Sequence, residues 1–247
     1  MSELILNHSI HFDHYADEYT RLLDRSVSIS GKDSRYFAEF KALYIRRMLG
    51  AGYAGKVLDF GCGVGLLSQF LRKHLTGARI DGFDVSKASI ARVDPALSLN
   101  GVFTTSKEDL ASDYDLIVVA NVFHHIPVES RKEVMRDLSE RLARGGLLTI
   151  FEHNPANPAT RWCVDHCPFD DDAVLLPPSE TIGRVCDAGL ELKRRDYTLF
   201  LPVFLGWLVP LESWLRWLPM GAQYVVVAGK APERDESHLQ VCTRMAA

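Results

Sequence analysis

From Lys56 onward, short β-branched runs alternate with longer helical patterns, and this alternation constrains the fold more than any other feature of the chain. Each apolar run needs neighbouring strands for its backbone groups, and each intervening helix carries the chain back to start the next strand in the same direction. Strands are expected at 56–60, 79–83, 101–105, 116–120, 147–152, 192–197 and 223–228, and helices at 66–74, 86–93, 129–144 and 179–188. The pattern predicts an α/β fold with a seven-stranded, mostly parallel sheet and helices on both faces.

The rest of the chain fits around this frame. Residues 1–50 read as helical, with Tyr15, Tyr19, Leu22 and Leu23 making one apolar stripe and Phe37, Phe40, Leu43 and Tyr44 another. A single domain is expected over 1–231, with 232–247 as a polar, flexible tail. Two segments, 153–178 and 200–221, are longer than simple connections require. Insertions near strand ends are where such sheets carry specificity, so both are expected on the acceptor side.

Composition narrows the classes of function. A formal net charge of −4 argues against an extended nucleic-acid footprint and for a small-molecule partner. The first residues lack the basic start and apolar core of a secretory signal. Five cysteines, Cys62, Cys163, Cys167, Cys186 and Cys242, are then expected as free thiols in a reducing cytosol. The longest uncharged stretch, Leu199 to Leu211, is interrupted by Pro202 and Pro210 and falls short of the ~20 residues of a spanning helix.

The chemistry starts at "VLDFGCGVG", residues 57–65, an apolar run that ends in a glycine-rich turn before a helix. Open N–H groups and the helix dipole make such a turn an anion site, and glycines let a ligand approach the backbone. Two details oppose a dinucleotide. The third glycine, Gly65, comes one position early, with Leu66 in the place of the fingerprint glycine. Asp59 precedes the turn, where a carboxylate would repel a pyrophosphate and favour a cationic ligand. Further along, Asp84 ends the second strand, where a carboxylate can accept from both ribose hydroxyls.

Taken with "YDLIVVANVFHHIP" and "LARGGLLTIFEHN", these blocks resemble the class I S-adenosylmethionine-dependent methyltransferases of the small-molecule type, similar to the ubiquinone-biosynthesis O-methyltransferases. The resemblance covers roughly residues 10–230 and implies a Rossmann-like fold, S-adenosylmethionine as cofactor and an N-terminal helical lid. It implies that Gly61 and Gly63 pass under the methionine moiety, that Asp59 reaches its ammonium through water, and that Asp84 holds the ribose. Cys62, Gly65 and Val85 fall in the same cofactor set, and Asn121 borders the transferable methyl. The acid that meets the adenine in relatives has no clear counterpart: Ser106 stands at its place, with Glu108 close behind. "FDHYADEY" resembles the family's lid opening and makes Tyr15 a lid candidate, core packing being the alternative.

Methyl transfer from a sulfonium is an in-line displacement, so alignment and exclusion of water are the main demands. A hydroxyl acceptor also needs its proton removed. His125, His153 and Glu152 are the base candidates, at or just beyond the ends of two strands; the alternative for His124 and His125 is a helix cap that packs. Cys163, His166 and Cys167 lie at helical spacing with Asp170–Asp172 behind them, but no second ligand pair is evident and no metal is expected. Trp207, Trp214 and Trp217 make 200–221 apolar nearly all round. Core packing, a membrane interface serving a lipid-like acceptor, and a homodimer contact are its three readings. The expected activity is O-methylation of a small or lipid-linked acceptor. The alternatives are N-methylation and, from other classes, a dinucleotide oxidoreductase or a non-catalytic cofactor-binding protein.

Overall fold

A computed structural model of the chain describes residues 33–50, 52–167, 173–200 and 212–230. Tyr15, the first apolar stripe, Asp170–Asp172, Trp207, Cys242 and the expected tail lie outside the described residues. The sheet has seven strands in the order β3-β2-β1-β4-β5-β7-β6, a mostly parallel Rossmann-like arrangement. The chain divides into two compact units, ending and starting at Tyr114 and Asp115, and each is taken in turn.

The first unit opens with α1 (Ser34–Leu49), capped by Asp33, whose side chain accepts from the Tyr36 N–H at 2.8 Å. It ends at Gly50, whose φ of +90° turns the chain out. The expected stripe is rotated: Ala38, Lys41, Ala42 and Ile45 are buried with Tyr44, whereas Phe37, Phe40 and Leu43 are half-buried. Small alanines allow α1 close to α2 (Leu66–His74), and Glu39 then meets Lys73 at 2.7 Å and His74 at 3.0 Å. Side-chain size, which a count of apolar residues ignores, sets the buried face here.

Strand β1 (Lys56–Phe60) pairs in parallel with β2 (Arg79–Phe83), where sequence periodicity placed both. Helix α3 (Lys87–Ile90) is shorter than expected, because Pro95 and the turn of 97–99 come soon after it. Strand β3 is only Phe103–Thr104, an edge strand paired to Gly82 and Phe83.

The second unit holds most of β4 (Tyr114–Ala120), α4 (Arg131–Arg141), β5 (Leu142–His153), α5 (Pro158–Asp165), α6 (Pro178–Asp187), β6 (Leu190–Thr198), α7 (Glu212–Leu215) and β7 (Gln223–Lys230). The expected helix end at 144 and strand start at 147 are both corrected. The chain leaves the helix at Leu142, whose buried side chain belongs to the core, and Gly145 and Gly146 are poor helix formers. Strand β7 runs antiparallel to both neighbours, pairing His153 with Gln223 and Tyr197 with Tyr224.

Segment 153–178, expected as an insertion with Cys163, His166 and Cys167 at helical spacing, contains α5. Its signal is "NPAT": the Asn157 side chain caps the Thr160 N–H at 3.0 Å and Pro158 takes the first helical position. A fully buried Arg131 clasps the chain before and after α5, donating to the carbonyls of Ile126 at 2.9 Å and Val174 at 2.7 Å and to Glu180 at 3.2 Å. Cys62, Cys163 and Cys167 carry free thiols, but Cys186 is disulfide-bonded, which corrects the expectation of five free thiols. Pairing depends on which sulfurs the fold brings together, which spacing does not reveal. Among the described residues no helix is long and apolar enough to cross a membrane.

Candidate functional site

In the first unit the glycine turn is a left-handed structure held from below. Gly61, Gly63 and Gly65 have φ of +78°, +53° and +80°. Side chains rarely tolerate this region, so the spacing of glycines is a backbone requirement. Gly61 and Cys62 donate to the Phe83 carbonyl at 2.7 and 3.0 Å, which ties the turn to the end of β2. The Gly63 N–H donates to Asp84 Oδ2 at 2.8 Å, and the Ser86 N–H to Asp84 Oδ1 at 2.9 Å. A carboxylate has about four acceptor positions, so half-exposed Asp84 can anchor the turn and still accept from a ligand hydroxyl.

Asp59 is buried at the start of α2 and accepts from Ser68 Oγ at 2.6 Å and from the Ser68 backbone. Burial pushes its carboxyl up to about 6; the Ser68 hydrogen bonds oppose this, Asp84 adds to it, and the Lys41 charge opposes it weakly. Asp59 thus accepts from the first turn of α2. Ser68 and Lys41 were not singled out in sequence. Ser68 sits at the third position of a helix whose cap, Gly65, has no side chain, and Lys41 is the lone cation on the buried stripe of α1.

Cys62 is buried, and burial with the Asp59 and Asp84 charges pushes its thiol well above the usual range, so it packs as a neutral group. Val85 is half-buried beside Asp84. Ser106 donates to Glu108 at 2.5 Å at the surface, so these two adenine candidates pair with one another.

The left-handed glycines, the N-terminus of α2, the half-exposed Asp84 carboxylate and the buried Asp59 form a donor and acceptor set that fits S-adenosylmethionine. The helix terminus suits its carboxylate, Asp59 its ammonium and Asp84 its ribose.

In the second unit, a carboxylate organises the loop after β4. Glu152 Oε1 accepts from the N–H groups of Val122 at 3.1 Å and Phe123 at 2.7 Å, and Oε2 lies 2.6 Å from His124 Nδ1. Glu152 and His124 are both buried. Burial by itself would raise the Glu152 carboxyl, but the charge and hydrogen bond of His124, the charge of His153 and the Phe123 N–H hold it below the usual carboxylate range. Glu152 is therefore an ionised acceptor engaged on both oxygens. The His124 ring lies 4.1 Å from His125 and 5.0 Å from His153, centroid to centroid, so the fold gathers three histidine rings around His124, the one bound to the carboxylate.

Asn121 ends β4 with a φ of +58°, its N–H donating to the Phe151 carbonyl at 2.8 Å and its Oδ1 lying 3.4 Å from Gln223 Nε2. Gln223 went unnoticed in sequence because it arrives from β7, far along the chain. His166, expected near Cys163 and Cys167, instead stacks on Trp162 at 4.4 Å. Among the described residues no group of three metal-ligating side chains converges.

Residues 58–148 match the methyltransferase domain family. The chain is 32% identical over 108 residues to the ribosomal RNA small subunit methyltransferase C of Colwellia psychrerythraea, covering 40% of this chain and 30% of that protein. It spans only 22–41% of the length of the ribosomal RNA methyltransferases it matches. It is 28% identical over 160 residues to the ubiquinone biosynthesis O-methyltransferase of Pseudomonas savastanoi pv. phaseolicola, covering 58% of this chain and 67% of that one. The solved magnesium protoporphyrin IX methyltransferase from Synechocystis with bound S-adenosylmethionine shares the fold, with a TM-score of 0.62 at 15% identity over 91% of this chain and 97% of its own. The glycine turn and the sheet order, with the methyltransferase-domain match over residues 58–148, make the chain similar in fold and in its glycine-turn region to S-adenosylmethionine-dependent methyltransferases.

Proposed function

We propose that the protein transfers the methyl group of S-adenosylmethionine to a hydroxyl oxygen of a small or lipid-linked acceptor. The observation that carries this reading is the histidine cluster on Glu152. An oxygen acceptor must lose its proton as the carbon–oxygen bond forms, and His125 and His153 are half-exposed imidazoles suited to receive it. Glu152, with both oxygens engaged, positions the loop rather than acting as the base.

In the first unit, Gly61, Gly63 and Gly65 would hold the methionine moiety, Asp59 the ammonium and Asp84 the ribose, with Cys62 and Val85 lining that side. In the second unit, Asn121 would border the acceptor. The cofactor supplies an electrophilic methyl group. As the sulfur–carbon bond breaks, its electron pair stays on sulfur, and the acceptor oxygen's pair makes the new bond.

Support for an oxygen acceptor also comes from the match to the ubiquinone biosynthesis O-methyltransferases, which extends over more of the chain than the ribosomal RNA match. The exposed Trp214 and Trp217 suit an amphiphilic acceptor met at a lipid surface. A nucleic-acid acceptor is the second reading, favoured by the ribosomal RNA relatives. Radiolabelled S-adenosylmethionine incubated with the protein and a cell extract, then split into lipid, water-soluble, RNA and protein pools, separates these readings. Alkali-stable label in the lipid or water-soluble pool is expected; label confined to RNA would replace this reading with the second.

A further inference from the structure

Strand β7 is apolar and buried from Tyr224 to Ala228, yet it opens with a glutamine that is also buried. Gln223 does not need its side chain to hold its place. Its backbone is paired to His153 of β5 on one side and to Thr198 of β6 on the other. The amide spends one end on a long contact, Nε2 to Asn121 Oδ1 at 3.4 Å, while Oε1 is buried with no hydrogen-bond partner among the described residues. The contact with Asn121 Oδ1 assigns Nε2 to that side and leaves the carbonyl as the open end. An unmatched buried carbonyl is costly in a folded protein, and native structures rarely keep one without a use.

The surroundings say what would match it. Residues paired across neighbouring strands point to the same face, so His153, Gln223 and Thr198 form a polar row across the end of β5, β7 and β6. Asn121, which follows β4 on the other side of β5, reaches the same amide, and both Asn121 and His153 are half-exposed. A carbonyl accepts from O–H or N–H and offers nothing to an ether or a hydrocarbon.

We propose that Gln223 is a recognition residue for the methyl acceptor: its open Oε1 accepts a hydrogen bond from a hydroxyl or N–H of that molecule, beside Asn121 and His153. This rests on the proposed acceptor chemistry and adds a requirement, that the acceptor carry a hydrogen-bond donor within reach of β7. Discrimination follows from the unmatched carbonyl, because a molecule lacking the donor leaves it buried and unpaired.

The test uses Gln223→Met, near in shape and without the amide, in the full chain. Removing an unsatisfied buried carbonyl is expected to leave the thermal midpoint unchanged or raise it by about 2–4 °C. S-adenosylmethionine affinity by calorimetry is expected to stay within about twofold. Label transfer from radiolabelled S-adenosylmethionine into a dilution series of cell extract is expected to fall at least about tenfold at low extract and to recover in part at high extract, the pattern of lost acceptor binding. A midpoint that falls by several degrees would make Gln223 a structural bridge and overturn the proposal, as would unchanged transfer at every dilution. If the wild type itself transfers no label, the acceptor reading fails separately, and the midpoint still decides whether the open carbonyl belongs to a ligand or to the fold.

Discussion

His124 Nδ1 and Glu152 Oε2 lie 2.6 Å apart, both side chains almost wholly shielded from water, while the other Glu152 oxygen takes two backbone N–H groups of the same loop. A buried carboxylate so placed fixes where the chain goes after β4.

Replacing Glu152 with alanine should therefore unfold the loop rather than only slow chemistry. Loss of one partner from a buried pair costs roughly 3–5 kcal/mol. Urea denaturation should show that loss, with Glu152→Gln falling between the two because it keeps an acceptor for the N–H groups. Equal stability for Glu152→Ala and wild type would contradict the clasp.

Asp84 is predicted to link turn and cofactor. Asp84→Ala removes the acceptors for the Gly63 and Ser86 N–H groups, and calorimetry should show S-adenosylmethionine binding weakened by about tenfold or more, equivalent to about 1.4 kcal/mol. Asp84→Asn, which retains one carbonyl, should lose less.

Asp59 carries the pH dependence. Its carboxyl is raised to about 6 in the folded chain against an ordinary 3.8, so the native state binds that proton more tightly than the unfolded one. Stability from this group is highest when it is protonated and falls as pH rises through that window, by roughly 3 kcal/mol once the pH passes the folded value. Asp59→Asn should then be more stable than wild type at neutral pH and gain nothing near pH 4, as measured by thermal unfolding across the range. The cofactor ammonium favours the ionised carboxylate, so wild-type affinity should rise with pH through about 6, and Asp59→Asn should lack that rise.

Gly65 ought to resist substitution for two reasons. An L-residue at its φ of +80° costs roughly 1–2 kcal/mol, and a Cβ there would sit 3.2 Å from Leu97 Cδ1. Gly65→Ala should lower the thermal midpoint and weaken cofactor binding together, whereas Gly183→Ala, in open space on α6, should do neither.

Strands β1 and β2 and helix α2 were legible to the residue, because period, glycine placement and strand-to-helix order are all local. Boundaries failed where tertiary contacts decided them. Leu142 leaves its helix for the core, and the buried face of α1 takes in Ala38, Ala42 and Ile45 with Tyr44 while Phe37, Phe40 and Leu43 stay half-buried.

What the amino-acid order determined by itself is the frame: alternating strands and helices, a glycine-rich turn with an acid before it and another at the next strand end, and the histidines after β4. Only the tertiary structure decided what those groups do. Asp59 turned out to meet Ser68, Glu152 to meet His124 and two N–H groups, and Gln223 to reach Asn121 from 102 residues away with its carbonyl left open. The physical reason is that a carboxylate or amide is defined by its partners and its access to water. Those are set by which distant segments pack together, whereas a turn or a helix is set by neighbours along the chain.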